Sequence, residues 1–288
     1  MSDDPFLTHR RLLFTVAYEM LGSAADTEDV LQESWLRWSE VDASQVRDPR
    51  AYLVRVVTRQ TLNHLRSQAR RREDYIGEWL PEPLLTTPDV ADDVELAESV
   101  SMAMLTVLET LVPTERAVFV LREVFDVPYE EIAEALGKEP SAVRQIAHRA
   151  RDHVAARRPR VSVDATEQHR VVERFVAALN TGDLQGVLAV LAPDVVLVAD
   201  GNGLIGAARK PIVGAEMLAT YLVNGAARVR FVGVPVSLNA TSGALFDVNG
   251  ELAAAVSMVV VDGLITRLYS VVNPDKLARL DAAVTLTR

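Results

Sequence analysis

The sequence predicts a multidomain chain: two all-α units, a helical bundle and a helix-turn-helix, followed by an α+β cone. Three observations predict it. Apolar residues recur at helical spacing in successive segments from His9 to Arg151, with glycine and proline between the segments. The stretch Pro113 to Arg151 reads as two short helices around Gly137, the second loaded with arginine. After residue 163, two further helices give way to strand-like runs separated by Asn249-Gly250 and Asp262-Gly263, both strong hairpin turns because a type I′ turn needs positive φ at its two central positions.

The chain of 288 residues is long enough for two or three cores. The absence of cysteine excludes a disulfide framework, thiolate zinc sites and a cysteine nucleophile. No apolar run approaches a membrane span and the N-terminus has no signal-peptide pattern, so a soluble, cytoplasmic protein without a membrane partner is expected. A net charge of −10 argues at first against nucleic acid, yet the charge is sorted into blocks. Arg50 to Arg72 holds seven arginines and no acid, Glu73 to Glu98 holds nine acids and no base, and Lys138 to Arg160 holds seven Lys/Arg against Glu139 and Asp152. Two basic segments thus flank an acidic connector, which either competes with DNA for them or is a solvated linker.

In order, His9 to Leu21 is a helix with Leu12, Leu13, Val16 and Met20 inward and Gly22 as its stop. A second helix, Ala24 to Trp38, places Val30, Leu31, Trp35 and Trp38 inside and Asp26, Glu28, Asp29, Gln32 and Glu33 outside. After a polar loop, Pro49 starts a helix to about Arg72, with Val54, Thr58, Thr61 and Leu65 inward. Arg55, Arg59, Asn63, Arg66 and Arg70 follow on another face, a row of cationic donors with one amide that suits a phosphate backbone and exposed bases. The connector opens Trp79-Leu80-Pro81-Glu82-Pro83, whose prolines favour an extended path and whose tryptophan is expected to dock on a domain surface. Helical spacing returns from Val94 to Val112. In the helix-turn-helix, Val143, Ile146, Ala147 and Ala150 form the buried stripe, which leaves Ser141, Arg144, Gln145, His148, Arg149 and Arg151 for a DNA major groove. A solvated basic corner is the plain alternative.

Asp26 to Trp35 (DTEDVLQESW), Arg47 to Leu53 (RDPRAYL), Tyr129 to Gly137 (YEEIAEALG) and the Arg144 to Arg151 helix resemble extracytoplasmic-function sigma factors in order and spacing. The resemblance implies that the first unit binds core RNA polymerase through Asp29, Gln32 and Glu33 and reads the minus 10 promoter element through the Val41 to Arg47 loop and the Arg55 to Arg70 face. It implies that the helix-turn-helix reads the minus 35 element. Arg59 and Asn63 depart from the asparagine and aspartate frequent there, so the resemblance does not fix the base identity read at minus 10.

Typical members of that family end soon after the recognition helix, whereas about 128 residues follow here. The expected order is helices over Val163 to Asn180 and Leu184 to Leu191, a strand over Val195 to Ala199, a helix over Ala215 to Val223, then strands over Val229 to Val234, Gly243 to Val248, Leu252 to Val261 and Leu264 to Val272. This resembles the SnoaL-like branch of the NTF2-like fold, carried at the C-terminus by a subgroup of these sigma factors. The boundaries read as 1–75 (sigma region 2), 76–99 (acidic linker), 100–160 (sigma region 4) and 161–288 (SnoaL-like). Trp79 and Pro81, Asp200 in Asp200-Gly201-Asn202-Gly203, and Asn273, Asp275 and Lys276 in Asn273 to Leu277 resemble the subgroup's signatures. That resemblance implies that the last unit contacts the sigma units and regulates them in cis, in place of a separate anti-sigma factor. Leu204 stands where a lysine is expected, with Lys210 nearby. No cofactor or metal is expected, and a small-molecule ligand of the C-terminal cavity is left open. Two rival readings are a one-component regulator that senses a ligand through its C-terminal unit and a SnoaL-type enzyme. The second is disfavoured because His169 reads as a surface residue and Asp200 as a turn residue.

Overall fold

The computed structural model describes residues 4–72, 75–87, 90, 93–158, 164–204, 207–227, 229, 231–280 and 282–288, with the side chains of 68–72 outside that description. The first unit consists of α1 (Pro5–Leu21), α2 (Ala24–Ser39) and α3 (Pro49–Arg72). The Asp4 carboxylate caps α1 by accepting from the Phe6 N–H at 2.9 Å and also accepts from Trp38 Nε1 at 2.9 Å, so one group starts α1 and anchors the end of α2. Trp35, expected inside, is 42% exposed, because the buried stripe of α2 runs instead through Thr27, Val30, Leu31, Ser34 and Trp38.

The segment 94–112, expected as one helix, is two: α4 (Val94–Val100) and α5 (Met102–Leu108). Ser101 leaves helical geometry with ψ 146°, and its hydroxyl accepts from the Met104 N–H at 3.2 Å to cap α5. Then α6 (Pro113–Phe119) runs into a π turn over Val120–Val124, followed by α7 (Tyr129–Leu136) and α8 (Pro140–Arg157). Gly137 takes φ +61° and ends α7, and Pro140 sits in the first turn of α8, as the sequence requires.

The last unit comprises α9 (Ala165–Thr181), α10 (Leu184–Leu188), β1 (Leu191–Asp200), β2 (Ile212–Val213), α11 (Ala215–Ala226), β3 (Phe231–Leu238), β4 (Thr241–Val248), β5 (Glu251–Val261), β6 (Leu264–Val271) and α12 (Pro274–Leu277). The described strands form one sheet in the order β2-β1-β6-β5-β4-β3, with β1 parallel to β6 and the other neighbours antiparallel. One face packs on the helices through Phe175, Leu218, Phe246 and Met258, the α+β layering expected of this unit. The opposite face, carrying Ala255, Val259, Tyr269 and Val271, meets Leu80 of the connector and Met102 of α5.

Asn249-Gly250 and Asp262-Gly263 make the two expected hairpins with positive φ throughout. A third hairpin, β3 to β4, turns on Asn239 (φ 51°) and Ala240 (φ 59°) without glycine, so its composition carried little signal. Leu191, expected to end a helix, instead starts β1, where it is buried in the sheet core.

A single apolar core runs from α1 through α8 and takes in Leu286 from the C-terminal tail, which is 3% exposed. The connector adds to this union as a short extra strand. Leu85 bridges Leu238 in antiparallel sense and Thr86 bridges Val284 in parallel sense. Where the connector crosses the α1–α2 turn, the Glu82 N–H donates to the Gly22 carbonyl at 2.7 Å. A Cβ on Gly22 would lie 3.2 Å from the Trp79 ring and 3.1 Å from Glu109, and its φ of +64° independently favours glycine.

Candidate nucleic-acid interface and the junction that covers it

Burial of Val143, Ile146, Ala147 and Ala150 turns the opposite face of α8 outward, and Ser141, Arg144, Gln145, His148, Arg149 and Arg151 are all exposed. Three of the arginines rest against acids of the preceding helices: Arg144 on Glu130 at 3.4 Å, Arg149 on Glu115 at 3.3 Å and Arg151 on Glu123 at 3.1 Å. Arg144 and Arg122 both lie over the Tyr129 ring, at 5.9 and 5.0 Å. Solvated pairs of this kind are each worth little, so phosphates or base edges can displace them.

The row on α3 divides. Asn63 and Arg66 are exposed, and the Arg70 side chain lies outside the described residues. Arg59 donates from Nε to the Ala135 carbonyl at 2.9 Å and from Nη2 to the Glu134 carbonyl at 2.7 Å, while Arg55 pairs with the Glu134 carboxylate. The carbonyls at the end of α7 lack the usual i+4 helical donors, that of Glu134 accepting only a long 3.4 Å bond from the Gly137 N–H, and they carry the negative end of the helix dipole, so a guanidinium suits them. The proposed minus 10 helix is therefore docked on the first helix of the helix-turn-helix. The acidic connector takes no part in this contact among the described residues. Its Asp93 and Glu95 pair with Arg288, its Glu98 pairs with Arg158, and its Glu82 accepts from Ser23 Oγ at 3.0 Å and the Ala25 N–H at 3.2 Å. Direct competition of the connector for Arg55 and Arg59 is thus replaced by contacts from α7.

Asp29, Gln32 and Glu33 are exposed on one side of α2, next to Trp35 and Leu36. Glu33 accepts from the buried Gln60 at 3.0 Å, which fixes its direction.

The connector is locked to the last unit at two polar clusters. At the first, Asp200 is fully buried at the end of β1. Its Oδ2 accepts from Lys276 Nζ at 2.6 Å and from the Leu80 N–H at 2.8 Å, and its Oδ1 accepts from the Tyr75 hydroxyl. Lys276 also donates to the Leu80 carbonyl at 2.5 Å and lies 4.1 Å from the centre of the Trp79 ring. Asn273 caps α12 by accepting from the Asp275 N–H at 3.1 Å, and its amide donates to the Tyr75 hydroxyl at 2.9 Å. Burial, then the neighbouring Asp200, pushes the Tyr75 hydroxyl well above its usual pKa. The Asp275 side chain is exposed, whereas Pro81 is buried beside Gly22. The lysine that meets Asp200 comes from Asn273 to Leu277, while Lys210 is exposed.

At the second cluster Asn239, fully buried, donates to the Tyr18 hydroxyl at 2.7 Å and to the Val100 carbonyl at 3.0 Å, and accepts from the Leu84 N–H at 3.1 Å. Tyr18 in turn donates to the Glu82 carbonyl at 2.6 Å. One amide thereby touches α1, the connector, the end of α4 and the β3–β4 turn. Sequence reasoning missed Tyr18, Tyr75 and Asn239, and named Glu82 only as a member of the Trp79 to Pro83 motif. The one available signal was an asparagine between two strand-like runs, a place where asparagine is ordinary.

Among the described residues no helix is long and apolar enough to cross a membrane. A family model described as Sigma-70 region 2 matches residues 6–71, and one described as Sigma-70, region 4 matches residues 101–154. The chain is 39% identical to the "ECF RNA polymerase sigma factor SigJ" of Mycobacterium tuberculosis, covering 96% of this chain and 93% of that protein. It is 35% identical to the "Probable ECF RNA polymerase sigma factor SigI" of the same species, covering 95% and 94%. The crystal structure of SigJ superimposes with a TM-score of 0.77 at 34% identity, covering 96% of this chain and 98% of that one.

Proposed function

The chain belongs to the extracytoplasmic-function sigma factors of RNA polymerase, and from that premise we propose that the structure is the resting form of an alternative sigma factor. The C-terminal unit holds its two promoter-reading units together. The partners are core RNA polymerase, met by Asp29, Gln32 and Glu33 with the exposed Trp35 beside them, and promoter DNA. Arg55, Arg59, Asn63, Arg66 and Arg70 serve the minus 10 strand, and Ser141, Arg144, Gln145, His148, Arg149 and Arg151 serve the minus 35 duplex.

The observation that carries this reading is the contact of Arg59 with the Ala135 and Glu134 carbonyls. The two promoter elements are roughly 25 base pairs apart, about 85 Å of duplex. Helices in hydrogen-bonding contact do not read both at once, so initiation requires α3 and α7 to part. Trp79, Pro81, Asp200, Asn273, Asp275 and Lys276 form or flank the junction that resists parting, which is the work an anti-sigma factor does from outside. The role is non-catalytic. Both Asp200 oxygens are occupied by structural partners, which leaves that carboxylate no access to a substrate.

The test is transcription from a cognate promoter with core polymerase and either the full chain or a chain lacking residues 161–288. Unchanged activity rejects regulation by the C-terminal unit. Because the deletion also removes Leu286 from the helical core, Lys276→Met in the full chain provides the second measurement, and it is expected to raise core binding.

A further inference from the structure

The sheet face turned away from α9 and α11 carries a feature that the closing contacts do not use. A cleft of about 590 Å³ opens where the α4–α5 break, the start of α9 and strands β5 and β6 converge. That volume falls in the range of sites that enclose a small organic molecule. Its walls are apolar, formed by Met102 and Met104 on one side and Val259 on the other, and methionine adapts readily to an irregular guest. At the floor lies Ser257, 3% exposed, whose Oγ has no hydrogen-bond partner. Its cross-strand partner Tyr269, 2% exposed, adds an aromatic surface beside it. A buried hydroxyl left unpaired costs stability, so a partner that enters the cleft recovers a hydrogen bond.

We propose that this cleft binds an uncharged, largely apolar small molecule that places one carbonyl oxygen on Ser257. The charged groups at its mouth disfavour an acid, since Arg158 is already paired with Glu98 and Asp164 adds a second carboxylate. The site is distinct from the interior of the cone, whose helix-facing side is filled by Phe175, Leu218 and Phe246. It exists only while α5 lies on the sheet, because its two walls belong to different units. On the reading that initiation requires the units to part, an occupant stabilises the closed form and lowers affinity for core polymerase by mass action.

Titration calorimetry on the full chain with naphthyl methyl ketone, and with naphthalene as its carbonyl-free counterpart, tests the site. The ketone is expected to bind more tightly than naphthalene. Ser257→Ala, which removes only the unpaired hydroxyl, is expected to weaken the ketone about tenfold and leave naphthalene unchanged. Ala103→Trp, which fills the cleft from α5, is expected to abolish both. No binding of the ketone, as for a crevice occupied by water, overturns the proposal, and so does ketone binding that is indifferent to both substitutions. Core-polymerase affinity measured with and without saturating ketone is a separate arm. Binding that leaves this affinity unchanged counts against the closed resting form and leaves the site standing.

Discussion

Asn239 Nδ2 donates to the Tyr18 hydroxyl at 2.7 Å, so a turn of the C-terminal sheet hydrogen-bonds directly to the first helix of the chain. Burial drives the Tyr18 phenol far above its usual pKa, which favours the neutral hydroxyl that donates to the Glu82 carbonyl. The contact is short, buried and shared among three units, which makes it a point where their association can be loosened by one side chain.

Asn239→Gly keeps the left-handed backbone of the turn and removes only the amide. The Tyr18, Val100 and Leu84 groups then lose a buried partner, at a cost of about 2 kcal/mol or more to the closed form. Faster hydrogen exchange in α1 and the connector, with the strands unaffected, is the expected result. Uniform loss of protection would mean that the sheet itself had unfolded.

Asp200 and Lys276 make a buried ion pair, and removing one partner strands the other charge. Lys276→Met is expected to destabilise the protein by about 3–5 kcal/mol, and the double substitution Asp200→Asn with Lys276→Met by less than the single one. Denaturant unfolding of Lys276→Met, Asp200→Asn and the double variant checks this. Additive losses would mean that the pair is not coupled.

Glu19 in α1 is fully buried, and burial raises its carboxyl from 4.5 to about 8, only partly opposed by the hydrogen bond it accepts from Ser99. A carboxyl whose pKa is raised in the closed form favours that form below about 4.5 and withdraws its support as pH climbs towards 8. The closed form should therefore lose about 2 kcal/mol between pH 6 and pH 8 through this group. Glu19→Gln is expected to flatten the slope in urea titrations at the two pH values. An unaltered slope would assign the pH dependence to other groups.

The helices, the helix-turn-helix and two of the hairpins were legible in the sequence because local rules set them: apolar spacing, Pro140, Gly137 and the two Xaa-Gly turns. The Arg55 to Arg70 row was legible as a basic stripe along one helix for the same reason. What covers that row was not legible. Arg59 meets backbone carbonyls of α7, and carbonyls carry no sequence signature. Trp79 was expected to dock somewhere, but its place beside Lys276 depends on the fold of a unit nearly 200 residues further on. The inward placing of Trp35 failed because helical periodicity gives the width of an apolar stripe and not its edge.

Glu134→Ala removes the carboxylate that holds Arg55 but leaves both carbonyls that hold Arg59. A modest gain in binding to a labelled single-stranded minus 10 probe without core polymerase is expected, about twofold to threefold, because a half-exposed pair is worth well under 1 kcal/mol. Arg59→Ala removes both a closing contact and the DNA contact proposed for this arginine. It should raise core binding while lowering promoter melting, and anisotropy and permanganate footprinting read the two separately. Parallel loss of both would point to a folding defect.

The C-terminal tail closes the assembly from the far side. Val284 remains with the connector strand by accepting from the Thr87 N–H at 3.2 Å and donating to the Leu85 carbonyl at 2.8 Å. The next residues leave the sheet: Leu286 enters the helical core, the Thr287 N–H donates to Thr15 Oγ1 at 3.1 Å, and Arg288 pairs with Asp93 at 2.7 Å and with Glu95. Removing Leu286 to Arg288 deletes a buried leucine worth about 2–4 kcal/mol to the helical units and leaves the bridge at Val284 in place. Core-polymerase affinity should then rise without loss of sheet stability, and Leu286→Ala alone should reproduce most of the effect because the ion pairs of Arg288 are solvated. If Leu286→Ala changes neither core affinity nor exchange in α1, the tail is a passive end and the lock resides in Asn239 and Lys276.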